Sequence, residues 1–444
     1  MPSLYRRLGL ALLIVMSACG SGLRPDDGVP VRAAAPPRIQ FAALDGGTAV
    51  VPHVLVTAMT VARTGTIYAG GRYMAADVNT GAIQPVAAAG SVWLVSRDHG
   101  AHWSQRISTT SLEVLRRNVV RDTWTDHTQW PIDFTANSIT VEPANPRVIY
   151  VAGCTGGDDT CVAGVNGRHM LLRSTDGGRT WQDALVYHQT GLGRATTQNV
   201  VTNIVKSPAL MAILMRGPGV APNQAYSAAV DPHNGARVYA CVSGLGMLRS
   251  DNRARTWRYF PQPTRGRSQC EVLIDPHHAH VLYNLERDGE VYRSTDAGMH
   301  WVLRSAFGYA SGQSLSGLTV VNRALYLTAD KGLYASTDSG AHWRLVKREP
   351  IPKGTLYQSI RATGGWIAVV ANNRFAPPEG LYAVRDGQGW QPAAYTDLRG
   401  PKYSGSLDFL AYADHAIRMW EDHSVRIVFT AGRLGGLYRW SSSL

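Results

Sequence analysis

The sequence predicts an all-β chain, a seven-bladed β-propeller whose ring is closed by pairing of N- and C-terminal strands. Three observations predict it. The phrase Ser-x-Asp-x-Gly-x-x-Trp recurs from Ser96 to Trp103, Ser174 to Trp181, Ser294 to Trp301 and Ser336 to Trp343. Short apolar strands flank each copy, as in Met247-Leu248-Arg249 and Leu333-Tyr334-Ala335. Gly is abundant, at 45 of 444 residues, while charged residues make up only 17%; that balance suits many short strands joined by turns.

The stretch from 225 to 260 shows the unit most plainly. Ser227 to Val230 reads as an inner strand, Asp231-Pro232-His233-Asn234-Gly235 as a turn, and Arg237 to Val242 as a second strand. Met247 to Arg249 starts a third, and Trp257 to Phe260 is an outer fourth. Four such strands make one blade. Worn copies of the phrase follow at Ser250 to Trp257, with Ala254 at the Gly position, and at Val384 to Trp390, one residue short. Spacings of roughly forty to fifty residues mark single blades. The two wider spacings, before Ser174 and before Ser250, mark blades with insertions. The last unit ends at the C-terminus after its third strand, Gly436 to Arg439, so Ile39 to Leu44 is expected to supply the fourth and leave no open edge.

Within the phrase, the Asp accepts backbone N–H bonds, the Gly takes an angle that other residues avoid, and the Trp is an apolar anchor. Burying one such Trp is worth about 3–5 kcal/mol, judged by the usual cost of Trp→Ala. Asp98, Asp176, Asp296 and Asp338, with Trp103, Trp181, Trp257, Trp301 and Trp343, are therefore expected to be structural. The phrase resembles the Asp-box (BNR) repeat of sialidases, sortilin-type receptors, xyloglucanases and photosystem II assembly factors. That resemblance implies a propeller. It leaves function open, because those families share the repeat and not the chemistry.

At the start of the chain, Arg6 and Arg7 precede an apolar run from Leu8 to Val15, the pattern of a secretory signal over residues 1–18. Met16-Ser17-Ala18-Cys19 resembles the lipobox of bacterial lipoproteins, which implies acylation of Cys19 and a lipid anchor in the cell envelope, the outer membrane in a Gram-negative host. Residues 19–37 read as a flexible tether and 38–444 as one propeller domain. Export fits the cysteines. Beyond Cys19 there are four, and two disulfides are expected, Cys154–Cys161 and Cys241–Cys270. Their loops would give about 2.5 and 3.6 kcal/mol respectively. The spacing matches no zinc finger, and neither cofactor nor metal is expected. The formal charge of +12 suits anionic partners, although an Arg-favouring base composition would produce the same excess. No nucleic-acid motif accompanies it.

Inserted length falls at residues 72–90, 104–138, 154–168 and 182–224, on the face opposite the repeated turns, where binding is expected. Its richest stretch holds Asp122, Trp124, Asp126, His127 and Trp130. The tryptophans suit stacking on sugar rings, and the carboxylates and His suit hydroxyl contacts or acid–base work. Asp158 and Asp159 suit Ca²⁺ or a solvated turn. Arg374 and Tyr403 are further ligand-binding candidates on loops. The apolar, Met-rich run from Ile204 to Met215 is read as a lid, facing either a partner or the blades. His277, His278 and His280 beside Asp275-Pro276 are read as an exposed turn, with a metal site as the alternative.

Two functions follow. The first is a monomeric, non-catalytic binding module for an envelope protein or polysaccharide, tethered to the membrane by its lipid. The second is a glycoside hydrolase using two of Asp122, Asp126, Asp158 and Asp159. The first is favoured. Sialidases carry an Arg-Ile-Pro element that Arg38-Ile39-Gln40 does not match, and xyloglucanases work between two propellers.

Overall fold

The computed structural model describes the backbone at residues 54–76, 91–107, 134–155, 168–188, 203–214, 225–261, 270–286, 289–311, 315–329 and 332–347, and side chains within these at 56–71, 92–104, 134–154, 170–186, 203–212, 225–261, 270–286, 289–308, 310–311, 315, 317–329 and 332–346. Backbone pairing alone is described at 42–43, 83–85, 200–201, 356–363, 366–372, 380–385, 391–392, 417–422, 425–431 and 437–443. The chain divides between residues 37 and 38, and the described residues all belong to the second unit.

These strands form a β-propeller of antiparallel sheets, each an up-and-down run of neighbouring strands. Five sheets are described with their side chains. Sheet 1 comprises Val54–Val61, Ile67–Ala76, Ser91–Ser96 and Ser104–Ile107, with Ile83–Pro85 added against Ile67–Ala76. Sheet 2 comprises Phe134–Glu142, Asn145–Thr155, Arg168–Ser174 and Gln182–His188, with Val200–Val201 added at its outer edge. Sheet 3 is Ala225–Asp231, Asn234–Val242, Gly246–Ser250 and Arg258–Tyr259; sheet 4 is Cys270–Ile274, Leu282–Glu286, Glu290–Ser294 and Val302–Ser305. Sheet 5 is Leu315–Val321, Ala324–Ala329, Gly332–Ser336 and Arg344–Lys347.

Two more sheets are described by pairing. Sheet 6 joins Leu356–Thr363, Trp366–Asn372, Gly380–Arg385 and Gln391–Pro392. Sheet 7 joins Ile417–Asp422, Val425–Ala431 and Leu437–Ser443, and Ala42–Ala43 pairs with Leu437–Ser443 through Ala42↔Ser441 and Ala43↔Trp440.

Middle strands bury both faces where a sheet lies between two others, as sheet 4 does between sheets 3 and 5. Every residue of Leu282–Glu286 is buried. Of its apolar residues, Leu282 packs with Tyr239, Cys241 and Met247 of sheet 3, and Tyr283 and Leu285 pack with Leu318 and Leu327 of sheet 5. The core is thus a series of layers between sheets rather than one central mass. The Cys241–Cys270 disulfide crosses one layer, from the second strand of sheet 3 to the first strand of sheet 4. Cys154 is also disulfide-bonded; its expected partner Cys161 lies outside the described residues.

Strand limits differ from expectation where insertions were anticipated. Residues 72–76 continue the second strand of sheet 1, 104–107 form its fourth strand, and 182–188 form the fourth strand of sheet 2. These strands carry polar residues such as Arg72, Gln105, Arg106, Gln182 and Asp183, so they read as loop in the sequence. The insertion after residue 188 also departs from expectation. It returns along the outer edge of sheet 2, with Tyr187↔Val201, then bridges in parallel to sheet 3 at Ile204↔Trp257. Backbone bonds Trp257 N→Asn203 O (2.7 Å) and Val205 N→Trp257 O (2.8 Å) fasten it there. It therefore reaches the face of the repeated turns. The short helix Pro208–Leu214 follows, and Leu210 is buried in the layer between sheets 2 and 3. The Met-rich run thus folds onto the sheets.

Candidate functional site

The repeated phrase forms the same turn wherever it is described. Ser174 Oγ donates to Asp176 Oδ1 (2.8 Å) and accepts from Gly178 N (2.8 Å). Asp176 Oδ1 also accepts Arg179 N and Thr180 N, each at 2.9 Å, and Oδ2 accepts the Thr180 hydroxyl at 2.7 Å. Asp98, Asp296 and Asp338 repeat this with His102, His300 and His342, whose Nδ1 atoms lie 2.6–2.7 Å from the second carboxylate oxygen. Trp103 and Trp301 donate Nε1 to Gly100 O and Gly298 O, both at 3.0 Å. Backbone N–H bonds from His102 and His342 hold Asp98 and Asp338 well below the usual carboxylate range. For Asp296, burial acts upward, but bonds from His300 and Ser294 bring it down to about 2. These carboxylates are saturated by their own turns.

The turns of sheets 2 to 5 also grip the preceding sheet. Gly178 lies so close to Trp93 of sheet 1 that an added Cβ would fall 2.5 Å from its Nε1. Trp93 in turn meets Trp181 edge-on, with centroids 4.8 Å apart. Between sheets 3 and 4, Tyr239 Oη and Arg249 NH1 both donate to Ala297 O, at 3.1 and 2.9 Å. Arg304 donates to Ser339 O and Asp338 O in sheet 5.

The worn copy in sheet 3 differs. Asn252 takes over the Asp role, accepting Thr256 N at 2.9 Å, and Ala254 N bonds Ser250 Oγ at 2.9 Å with φ 61°. Trp257 turns away from its own loop and donates Nε1 to Ala184 O of sheet 2 (2.8 Å). Arg253 reaches Glu142 of sheet 2 with two bonds, 3.2 and 3.0 Å. Beside that pair, burial pushes the Tyr150 hydroxyl up to about 12, against the pull of Arg173.

A cavity of about 400 Å³ opens at this junction of sheets 2 and 3. Arg173, Thr175, Gln182, Asp183, Asn203 and Arg255 line it, with Ala184 and Ala254 as its apolar members. The equivalent groove one junction earlier, about 270 Å³, is lined by Trp93, Val95, Arg97, Ser104, Gly177, Gly178 and Arg179. The first is polar because Arg173 and Gln182 stand where sheet 1 has Val95 and Ser104.

No family model matches the chain, and no curated protein matches it. Solved structures do. A structure described as YCF48 bound to D1 peptide has TM-score 0.49 and 12% identity, covering 91% of this chain and 97% of that one. A propeller domain of Cps50 (Swd1) from Myceliophteria thermophila has TM-score 0.48 and 11% identity, covering 89% and 97%. The GH74 enzyme of Niastella koreensis has TM-score 0.44 and 14% identity, covering 88% of this chain and 60% of its own. Likenesses this distant carry no functional argument.

The loop residues singled out in the sequence, Asp122, Trp124, Asp126, His127, Trp130, Asp158, Asp159, Arg374 and Tyr403, lie outside the described residues, as does Cys19. The histidine turn is described. Asp275 Oδ1 accepts His277 N (2.8 Å) and His278 N (3.2 Å), and His280 Nδ1 accepts from Arg237 (3.3 Å). Among the described residues no group of His, Cys, Asp and Glu is arranged to hold a metal.

Sequence reasoning missed two features. The first is the cavity, whose residues come from two sheets and an insertion. The second is a buried acidic pair at the opposite end of sheet 4, where Glu286 and Glu290 face each other in register, 4% and 6% exposed. Asn284 donates to Glu286 (2.9 Å) and the Tyr292 hydroxyl to Glu290 (2.5 Å). The alternation Asn284-x-Glu286 and Glu290-x-Tyr292 was the available signal: polar residues at strand positions whose neighbours are core.

Proposed function

We propose that this chain is a lipid-anchored envelope protein whose Asp-box propeller is a non-catalytic binding module for a protein or glycan partner. The ring has seven blades, with the N-terminal strand completing the last. Pairing of Ala42–Ala43 with Leu437–Ser443 supports that closure, as does the contact between Ile417–Asp422 and Val54–Val61. The observation that carries the binding reading is the state of the repeated carboxylates. Asp98, Asp176, Asp296 and Asp338 have their oxygens occupied by turn donors, so the motif that recurs most supplies rigidity and no reactive group.

One described carboxyl pair bears on the hydrolase reading, the cross-strand Glu286 and Glu290. Retaining glycosidases place two carboxyl groups about 5 Å apart. This pair is buried and hydrogen-bonded, which leaves no room for a sugar between its members. The test is to incubate the full chain with plant and bacterial polysaccharides and fluorogenic sialosides and to measure released sugar. No release is expected. Release that is lost in Asp126→Asn, Asp158→Asn or Glu286→Gln would overturn the binding-only reading.

A further inference from the structure

We propose that the cavity between sheets 2 and 3 binds a carboxylated sugar, the hexuronate residue of an acidic glycan. This deepens the reading as a binding module and rests on it. Volume comes first: about 400 Å³ falls within the range of small-ligand sites. Chemistry comes second. Arg173 lines the cavity, its partly buried guanidinium lying beside the Tyr150 hydroxyl. A planar guanidinium on a cavity wall pairs with a carboxylate through charge-assisted bonds. Arg255 lines the same cavity from the exposed side, so two guanidinium groups flank it.

The remaining polar groups select among anions. Thr175, Gln182 and Asn203 offer donors and acceptors suited to sugar hydroxyls. The Asp183 carboxylate repels a dianion, which disfavours free phosphate or sulfate and favours a singly charged, hydroxylated ligand. The few apolar members exclude a hydrophobic ligand.

Backbone strain gathers at the same place. Asn203 (φ 68°), Arg253 (φ 58°) and Ala254 (φ 61°) are all left-handed without being glycine. Other described copies of the turn have glycine at the position of Ala254: Gly100, Gly178, Gly298 and Gly340. Such strain persists where the surroundings hold it, and it clusters at sites of function. Here the strap from Asn203 and the displaced Trp257 hold it, and together they shape the cavity wall.

The experiment titrates the full chain, in mild detergent and physiological salt, with D-glucuronate, D-glucose and inorganic phosphate by calorimetry and ligand-observed NMR. Glucuronate is expected to bind, with glucose and phosphate at least about tenfold weaker, because only glucuronate satisfies the arginines and the hydroxyl partners together. Arg255→Ala sits at an exposed position and is expected to fold normally and to weaken glucuronate binding at least about tenfold. Arg173→Lys keeps the charge while losing the planar fork and is expected to weaken it as well. Glucuronate binding unchanged in both variants, equal binding of phosphate, or no glucuronate binding at all would overturn the proposal. A glycan or envelope protein that binds wild type and Arg255→Ala equally would remove this site and leave the binding-module reading standing.

Discussion

Arg253 of sheet 3 closes over Glu142 of sheet 2, its guanidinium giving two bonds to a carboxylate only 3% exposed, while Arg253 itself is 47% exposed. The two partners are therefore unequal. Removing Arg253 strands a buried charge, whereas removing Glu142 leaves an arginine free to turn to water. Arg253→Met is expected to destabilise by about 2 kcal/mol and Glu142→Gln by about half that. Urea unfolding of both variants checks it. Equal losses would mean that Glu142 is not desolvated in solution.

The two versions of the turn predict opposite outcomes for one methyl group. At Gly178, φ is 82° and a Cβ would collide with Trp93. Gly178→Ala is expected to cost about 2–3 kcal/mol through strain and lost packing. At Ala254 the methyl is already accommodated, so Ala254→Gly is expected within about 1 kcal/mol of wild type, as relieved strain offsets lost burial. Thermal unfolding of the two variants separates them.

The turn carboxylates make stability pH-dependent. Asp296 sits at about 2, and Asp98 and Asp338 are also depressed below the value of an unfolded chain. A depressed folded value means that the native state binds fewer protons. This contribution is fully present above the unfolded range near pH 4 and is lost as pH falls toward 2. The melting temperature of wild type is expected to drop toward that of Asp296→Asn across this window. A constant gap between the two would show that the His300 bonds are not made in solution.

The Cys241–Cys270 bridge ties adjacent blades across one packing layer. Opening it is expected to cost about 3.6 kcal/mol by loop entropy. Cys241→Ser with Cys270→Ser should reproduce the effect of reduction at this bridge. A melting temperature unchanged in the double variant would show that the layer holds without it.

The Asp-to-Trp turns were legible in the sequence because each is local. Ser174, Asp176, Gly178 and Thr180 bond within a few residues of one another, so their spacing alone specifies the geometry. Even the worn copy could be read, since Asn252 offers the same oxygen as an Asp. The Cys241–Cys270 pairing was legible for a different reason: few cysteines leave few partners.

The cavity was not legible. Arg173, Arg255 and Asn203 are distant in sequence and meet only because Trp257 swings to Ala184 and the insertion straps back onto sheet 3. The Glu142–Arg253 pair, separated by 111 residues, was hidden for the same reason. By itself, then, the sequence determined the repeat, its turns and the propeller they imply, since short-range hydrogen bonds and alternating burial are written along the chain. Only tertiary structure decided which side chains meet between sheets, because the junction of two blades brings together residues that no local pattern relates.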